Sequence, residues 1–216
     1  MPKVKIPRKS TTIDMTAMCD VAFLLLSFFI LATKQKPPEA VTVQTPSSIS
    51  TKVAKEEAII ITLNKDGKVF LMLGDKSHKD DILNNINTQR SLGLTPTELA
   101  KLKKLDFIGL PLNLIKGSLA LTTPIEGDKL PGIPCVDSSN NELVDWMRAV
   151  VSAYSGESLD NMNLLLKGDN LAKYPSFKNI KEAFKKNDVY KFKIVTNPEG
   201  VPADSELAKN PSPKAS

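Results

Sequence analysis

The chain is 216 residues long, 25% of them charged, with a formal net charge of +5. Lys3, Lys5, Arg8 and Lys9 nearly account for that excess, so the charge reads as a topological signal and leaves no concentrated cationic face for nucleic acid. A lone histidine (His78), two cysteines that cannot pair within one chain because Cys19 lies inside a long apolar run and Cys135 far outside it, no glycine-rich phosphate loop and no nucleophile constellation give no basis for a metal, a cofactor or an enzyme.

Residues 1–12 form the basic tail, and residues 13–33 a run long enough to cross a bilayer as a helix, at about 1.5 Å per residue against a core of about 30 Å. A buried core helix would need equally apolar partners nearby, which the flanking sequence lacks. A cleavable signal peptide shares the basic start and apolar stretch, but Asp14 and Asp20 interrupt it and no A-x-A-like site follows in "FILATKQKPPEA". An uncleaved anchor is therefore expected. Only Lys34 and Lys36 follow the span closely, so the positive-inside rule predicts a cytoplasmic N-terminus, with the larger C-terminal part outside.

Asp20 lies within this apolar run. An ionised group there costs roughly 2.5–3.5 kcal/mol even on an insertion scale, and such residues usually face a protein interior or a wet cavity on an ion or proton route. At helical spacing, Thr16, Asp20 and Ser27 fall within about 40° of one another, one polar stripe on an otherwise apolar cylinder. Asp14 points elsewhere; with Thr11 it has capping-box spacing and reads as a helix start. A carboxyl group removed from water favours its neutral form, which suits it to take and release a proton. One helix cannot wall a hydrated path around that group, so partner subunits are required.

The stretch "DMTAMCDVAFLLLSFF", Asp14 to Phe29, resembles the signature of the ExbD/TolR family, Asp-Met-Thr-Pro-Met-Val-Asp-Val followed by apolar residues and a Phe pair. Ala17 stands where that family commonly has Pro, and Cys19 where it has Val or Ile. The resemblance implies a homodimer whose transmembrane helices sit within a ring of ExbB-like subunits in the bacterial inner membrane. It also implies that Asp20 carries protons down their gradient and that a periplasmic domain conveys the resulting motion to a TonB-like transducer.

Residues 34–55, rich in Pro, Ser, Thr and Lys, predict an extended or flexible periplasmic linker. Within it Val41, Val43 and Pro46 resemble the family's linker motif, which can add as a strand; Thr45 stands where Leu is usual, and an unpaired spacer is the alternative. "AIIITLNKDGKVFLML" then predicts a β-hairpin, because Asp66-Gly67 between two apolar runs suits a turn whose two central residues take positive φ. Helices are predicted over 77–92, with Ile82, Leu83 and Ile86 on one face and Ser77 to Asp80 at capping spacing, and over 142–154, capped by Ser139 and Glu142 with a stripe of Leu143, Met147, Val150, Val151 and Tyr154.

Residues 93–140 read as an insertion holding one short helix, "LTPTELAKLKKL", and then a Pro- and Gly-punctuated segment; it either docks a partner or covers a sheet edge. Leu164 to Leu166 predict a buried strand, Phe177, Ile180 and Phe184 a helix face, and Tyr190, Phe192 and Ile194 an alternating last strand. This order resembles the family's closing unit, and residues 201–216 read as a disordered tail.

The expected whole is a single N-terminal transmembrane helix followed by a small α+β periplasmic domain, residues 56–200, with a sheet packed by helices. The functional expectation is an ExbD-like proton-driven motor component, beside a TolR-like component for outer-membrane maintenance. Two further readings are a flagellar stator B subunit, for which a peptidoglycan-binding domain is missing, and a membrane-tethered binding module or hydrolase whose acid is incidental.

Overall fold

A computed structural model describes residues 15–33, 41–48, 57–120, 127–136, 140–155 and 162–199. The chain divides into two compact units, Met1–Pro37 and Pro38–Ser216. The first contains α1, Met15–Ala32, rich in Leu, Phe, Val and Ile, of which no residue is buried. The predicted cap residues Thr11 and Asp14 lie outside the described residues.

The second unit is built on a four-stranded sheet. Two β-branched or apolar runs fold on themselves as β2, Ile59–Leu63, and β3, Val69–Leu73, paired antiparallel with Ile61 opposite Leu71. The connecting turn differs from the expected one, since Gly67 has φ 82° while Asp66 does not adopt positive φ. Asn64 explains the difference: its side-chain oxygen accepts from the N–H groups of Asp66 and Lys68, each at 2.9 Å, and its carbonyl accepts from Gly67 at 3.1 Å. That local hydrogen bonding favours a longer turn with a single left-handed glycine over a two-residue one. A Cβ on Gly67 would also lie 2.9 Å from Ser176 Oγ.

The sheet is completed by β4, Leu164–Gly168, parallel to β2, and by β5, Lys193–Val195, parallel to β4, in the order β3-β2-β4-β5. Alternation sends Ile59, Ile61, Leu63, Leu71, Leu164 and Leu166 into the main core. Helices supply the other side: α2, Lys79–Gln89, through Ile82, Leu83 and Ile86; α5, Leu143–Ala153, through Trp146, Met147 and Val150; and α6, Tyr174–Lys185, through Ile180 and Phe184. The opposite sheet face is also covered in part, for Phe70 and Leu165 are buried.

The predicted cap of α2, Ser77 to Asp80, is replaced. Neither His78 before α2 nor Glu142 before α5 makes a side-chain cap. Asp75 instead accepts from Ser77 N–H at 2.9 Å, and Glu142 reaches across to accept from Leu112 N–H at 2.7 Å. Ser139 lies outside the described residues. Along α5 Val151 is only half-buried, while Trp146 and Ala149 are fully buried, so the helix is wrapped on a wider arc than the predicted stripe.

The insertion holds α3, Pro96–Lys104, started by a capping box between Thr95 and Glu98, and α4, Leu112–Leu119, where only a punctuated segment was expected. Leu112, Ile115 and Leu119 bury one face of α4 despite Pro111 before it and Gly117 within it. Ile108 exchanges hydrogen bonds of 2.7 and 2.8 Å with Leu71, and Ile133 N–H donates to Val69 at 2.8 Å. Of the two expected roles, the insertion therefore performs edge covering: it pairs with β3, the terminal strand on that side. Gly109 lies so close to the Phe70 ring that a Cβ would come within 2.4 Å of it.

The last strand is shorter than predicted. Residues 190–192 are not in it, and Tyr190 and Ile194 are exposed while Phe192 packs partly against the core. Alternation therefore does not place these three on one buried face: β5 pairs on one side with β4, and its other side carries no strand of the four-stranded sheet.

Candidate functional site

Thr16, Asp20 and Ser27 all lie on α1, Thr16 and Asp20 exposed and Ser27 half-buried. The 18 residues make a rod of about 27 Å, and helical bonding runs one residue further, with Thr33 N–H donating to Phe29 at 2.9 Å. Near that end the rings of Phe28 and Phe29 meet edge to face at 6.1 Å. Among the described residues the Asp20 carboxylate has no hydrogen bond or ion pair. An acid presented in this way, beside two hydroxyl residues on an apolar rod, needs groups from another molecule before it can work as a relay.

The linker motif is positioned by the second unit. Val43 and Thr45 are buried, while Val41 and Pro46 are half-buried. Gln44 N–H donates to Asp169 Oδ2 at 3.1 Å and its carbonyl accepts from Asn170 at 2.8 Å, just beyond β4. Pro46 and Ser48 carbonyls accept from Asn197 and Glu199 N–H, both at 2.9 Å. Thus β1, Ser47–Ser48, lies parallel to β6, Asn197–Pro198. Residues 41–48 are a strap across the chain ends that leave β4 and β5, and Thr45 occupies a buried position despite its hydroxyl. Residues 44–48 are thus hydrogen-bonded to the domain, while Val41, Val43 and Pro46 themselves lie outside β1.

The family model for "Biopolymer transport protein ExbD/TolR" matches residues 7–199, which includes the helix, the strap and the whole described domain. The chain belongs to the ExbD/TolR family. No curated protein and no solved structure gave a significant match. Family membership together with one helix of mean hydropathy 2.2, the candidate span among the described residues, marks a single-pass membrane protein of biopolymer transport, a role that family members perform in complexes with membrane partners.

Two polar clusters in this ExbD/TolR-family chain escaped sequence reading because one member of each, Tyr154 and Arg90, comes from far along the chain. His78 Nδ1 and Tyr154 Oη lie 2.7 and 2.5 Å from Asp75 Oδ2, and the His78 and Tyr154 rings stack at 4.1 Å. Burial opposes ionisation of Asp75, but hydrogen bonds from Tyr154, His78 and the Ser77 N–H together hold its carboxyl below its ordinary value. The cluster ties the β3–α2 turn to the end of α5. On the same helix Asp145, nine-tenths buried, faces Arg90 at 2.7 Å and Arg148 at 3.3 Å. Cys135 is buried, which pushes its thiol up to about 12. Its nucleophilic thiolate form is thereby suppressed. Among the described residues no group of three or more His, Cys, Asp or Glu side chains could hold a metal.

Proposed function

We propose that this chain is the ExbD-like component of a proton-driven motor, with Asp20 as the proton-carrying group. The observation that carries the reading is the Asp20 carboxylate, unpaired within the described chain, on an unpacked apolar helix of an ExbD/TolR-family protein. In this reading residues 1–12 are cytoplasmic, 13–33 span the inner membrane and 56–200 form the periplasmic domain. A homodimer places its helices inside a ring of ExbB-like subunits, whose walls supply the hydrated path that a single helix lacks.

Asp20 then alternates between protonated and charged forms as it passes from one half-channel to the other, with Thr16 and Ser27 orienting water or partner hydroxyls beside it. Each charge that crosses releases about 2.3 kcal/mol per 100 mV. That work moves the helix relative to the ring, and the periplasmic domain passes the motion to a TonB-like protein.

The test compares the wild-type chain with Asp20→Asn, expressed with its ring-forming partner. The variant should still copurify with the ring while energised transport at the outer membrane is lost. Transport that persists would contradict the assignment. Recovery of a TonB-like protein supports the ExbD-like role, whereas recovery of a TolA-like protein instead assigns the chain to outer-membrane maintenance with the same proton chemistry.

A further inference from the structure

The basic excess of the N-terminal tail conceals a second concentration of charge. Residues 173–193 hold seven lysines and no arginine, against the two acids Glu182 and Asp188. Three of these lysines, Lys178, Lys181 and Lys185, and Glu182 line a groove of about 410 Å³ between α6 and the segment leading into β5. Its apolar floor includes Phe184 and Val189, both buried. Its rim carries two aromatic rings in the open, Tyr174 at 70% and Tyr190 at 68% exposure. Lys178, Lys181 and Lys185 line one wall; Glu182, the acidic member of that wall, lies 3.9 Å from Lys178.

We propose that this lysine-walled, tyrosine-rimmed groove docks the second unit onto an anionic lipid bilayer. Lysine is a compact charge on a flexible apolar stem, suited to a diffuse layer of headgroups, whereas a discrete carboxylate or phosphate ligand favours the planar fork of arginine. Tyrosine combines an apolar ring with a polar tip and is enriched at the membrane–water boundary. Anionic headgroups complement the wall, and the two rings reach the boundary beneath them.

The chain also limits the distance to such a surface. With residues 41–48 strapped to the domain, residues 34–40 are the remaining tether after α1. Seven residues reach only about 25 Å when extended, so lipid is present at high effective concentration. The proposal rests on α1 being a membrane anchor and not on proton transport, so it is unaffected by Asp20→Asn.

The full-length chain is reconstituted into nanodiscs of phosphatidylcholine alone or with three-tenths phosphatidylglycerol. Acylation of individual lysines by an amine-reactive reagent is followed by mass spectrometry. Lys104, an exposed residue of α3, serves as the internal reference. Acylation of Lys181 and Lys185 relative to Lys104 should slow about fivefold in the anionic discs and recover in high salt. In Lys181→Gln/Lys185→Gln, the remaining Lys178 should lose most of its lipid-dependent protection. Equal rates in the two discs would overturn the proposal. So would protection in phosphatidylcholine discs by added polyglutamate or peptidoglycan fragments without any effect of anionic lipid, which would give the groove to an acidic polymer.

Discussion

Two apolar helices of this protein each carry an aspartate, and they treat it in opposite ways. On α5, Asp145 is enclosed beside Trp146 and neutralised by Arg90 and Arg148 from the same chain. On α1, Asp20 stands on a helix with no buried residue and has no partner among the described residues. The first acid is completed by its own fold, as a buried charge must be. The second is left for another molecule to complete, which is what separates a structural charge from a candidate working one.

The contrast is broken most severely from the α5 side. Trp146→Ala removes the largest fully buried side chain and should cost about 3–5 kcal/mol, seen as a large fall in the domain's thermal midpoint. Leu25→Ala on α1 should leave that midpoint unchanged. Arg90→Ala takes the nearer of two partners from Asp145; because Arg90 is half-exposed and Arg148 remains, the expected loss is about 1–2 kcal/mol.

Asp75 sharpens the comparison through pH. Its folded carboxyl is held below its ordinary value, so its contribution is present above the unfolded value of about 3.9 and is lost as pH falls through the lower folded value. Tyr154→Phe removes one donor and raises the folded value toward the ordinary one. The variant should be less stable by about 1 kcal/mol at pH 7, and the gap should narrow as pH falls below the ordinary carboxylate value in paired denaturation curves. Smallest of all, Gln44→Pro deletes the N–H given to Asp169. It should speed proteolysis within 41–48 and lower the domain's stability by at most about 1 kcal/mol.

The two helices also show how far the sequence could be read. The position of α1 follows from composition alone, since length and a high apolar content need no knowledge of neighbours. The Thr16, Asp20 and Ser27 stripe needs only helical spacing. The α2 face and most of the α5 face were likewise legible from period. Helix α4 was hidden because Pro111 and Gly117 look like loop punctuation, although Leu112, Ile115 and Leu119 carry a helical period.

Sequence reading also missed what arises from tertiary contact. Spacing suggests that Ser77 caps a helix, but α2 follows a turn organised by Asp75, and Glu142 at the start of α5 accepts from the Leu112 N–H 30 residues away. Tyr154 reaches the Asp75–His78 pair only because α5 packs on α2. The cationic groove was missed because the net charge was assigned to the N-terminal tail, when acids elsewhere in the chain offset the lysines around α6.

Proton flux tests the central claim most directly. The chain and its ring partner are sealed into vesicles holding a pH-sensitive dye, and acidification is followed after a membrane potential is imposed. We expect flux from the wild-type complex and none above the protein-free background from Asp20→Asn at equal incorporation. Equal flux from both would show that Asp20 does not carry the proton.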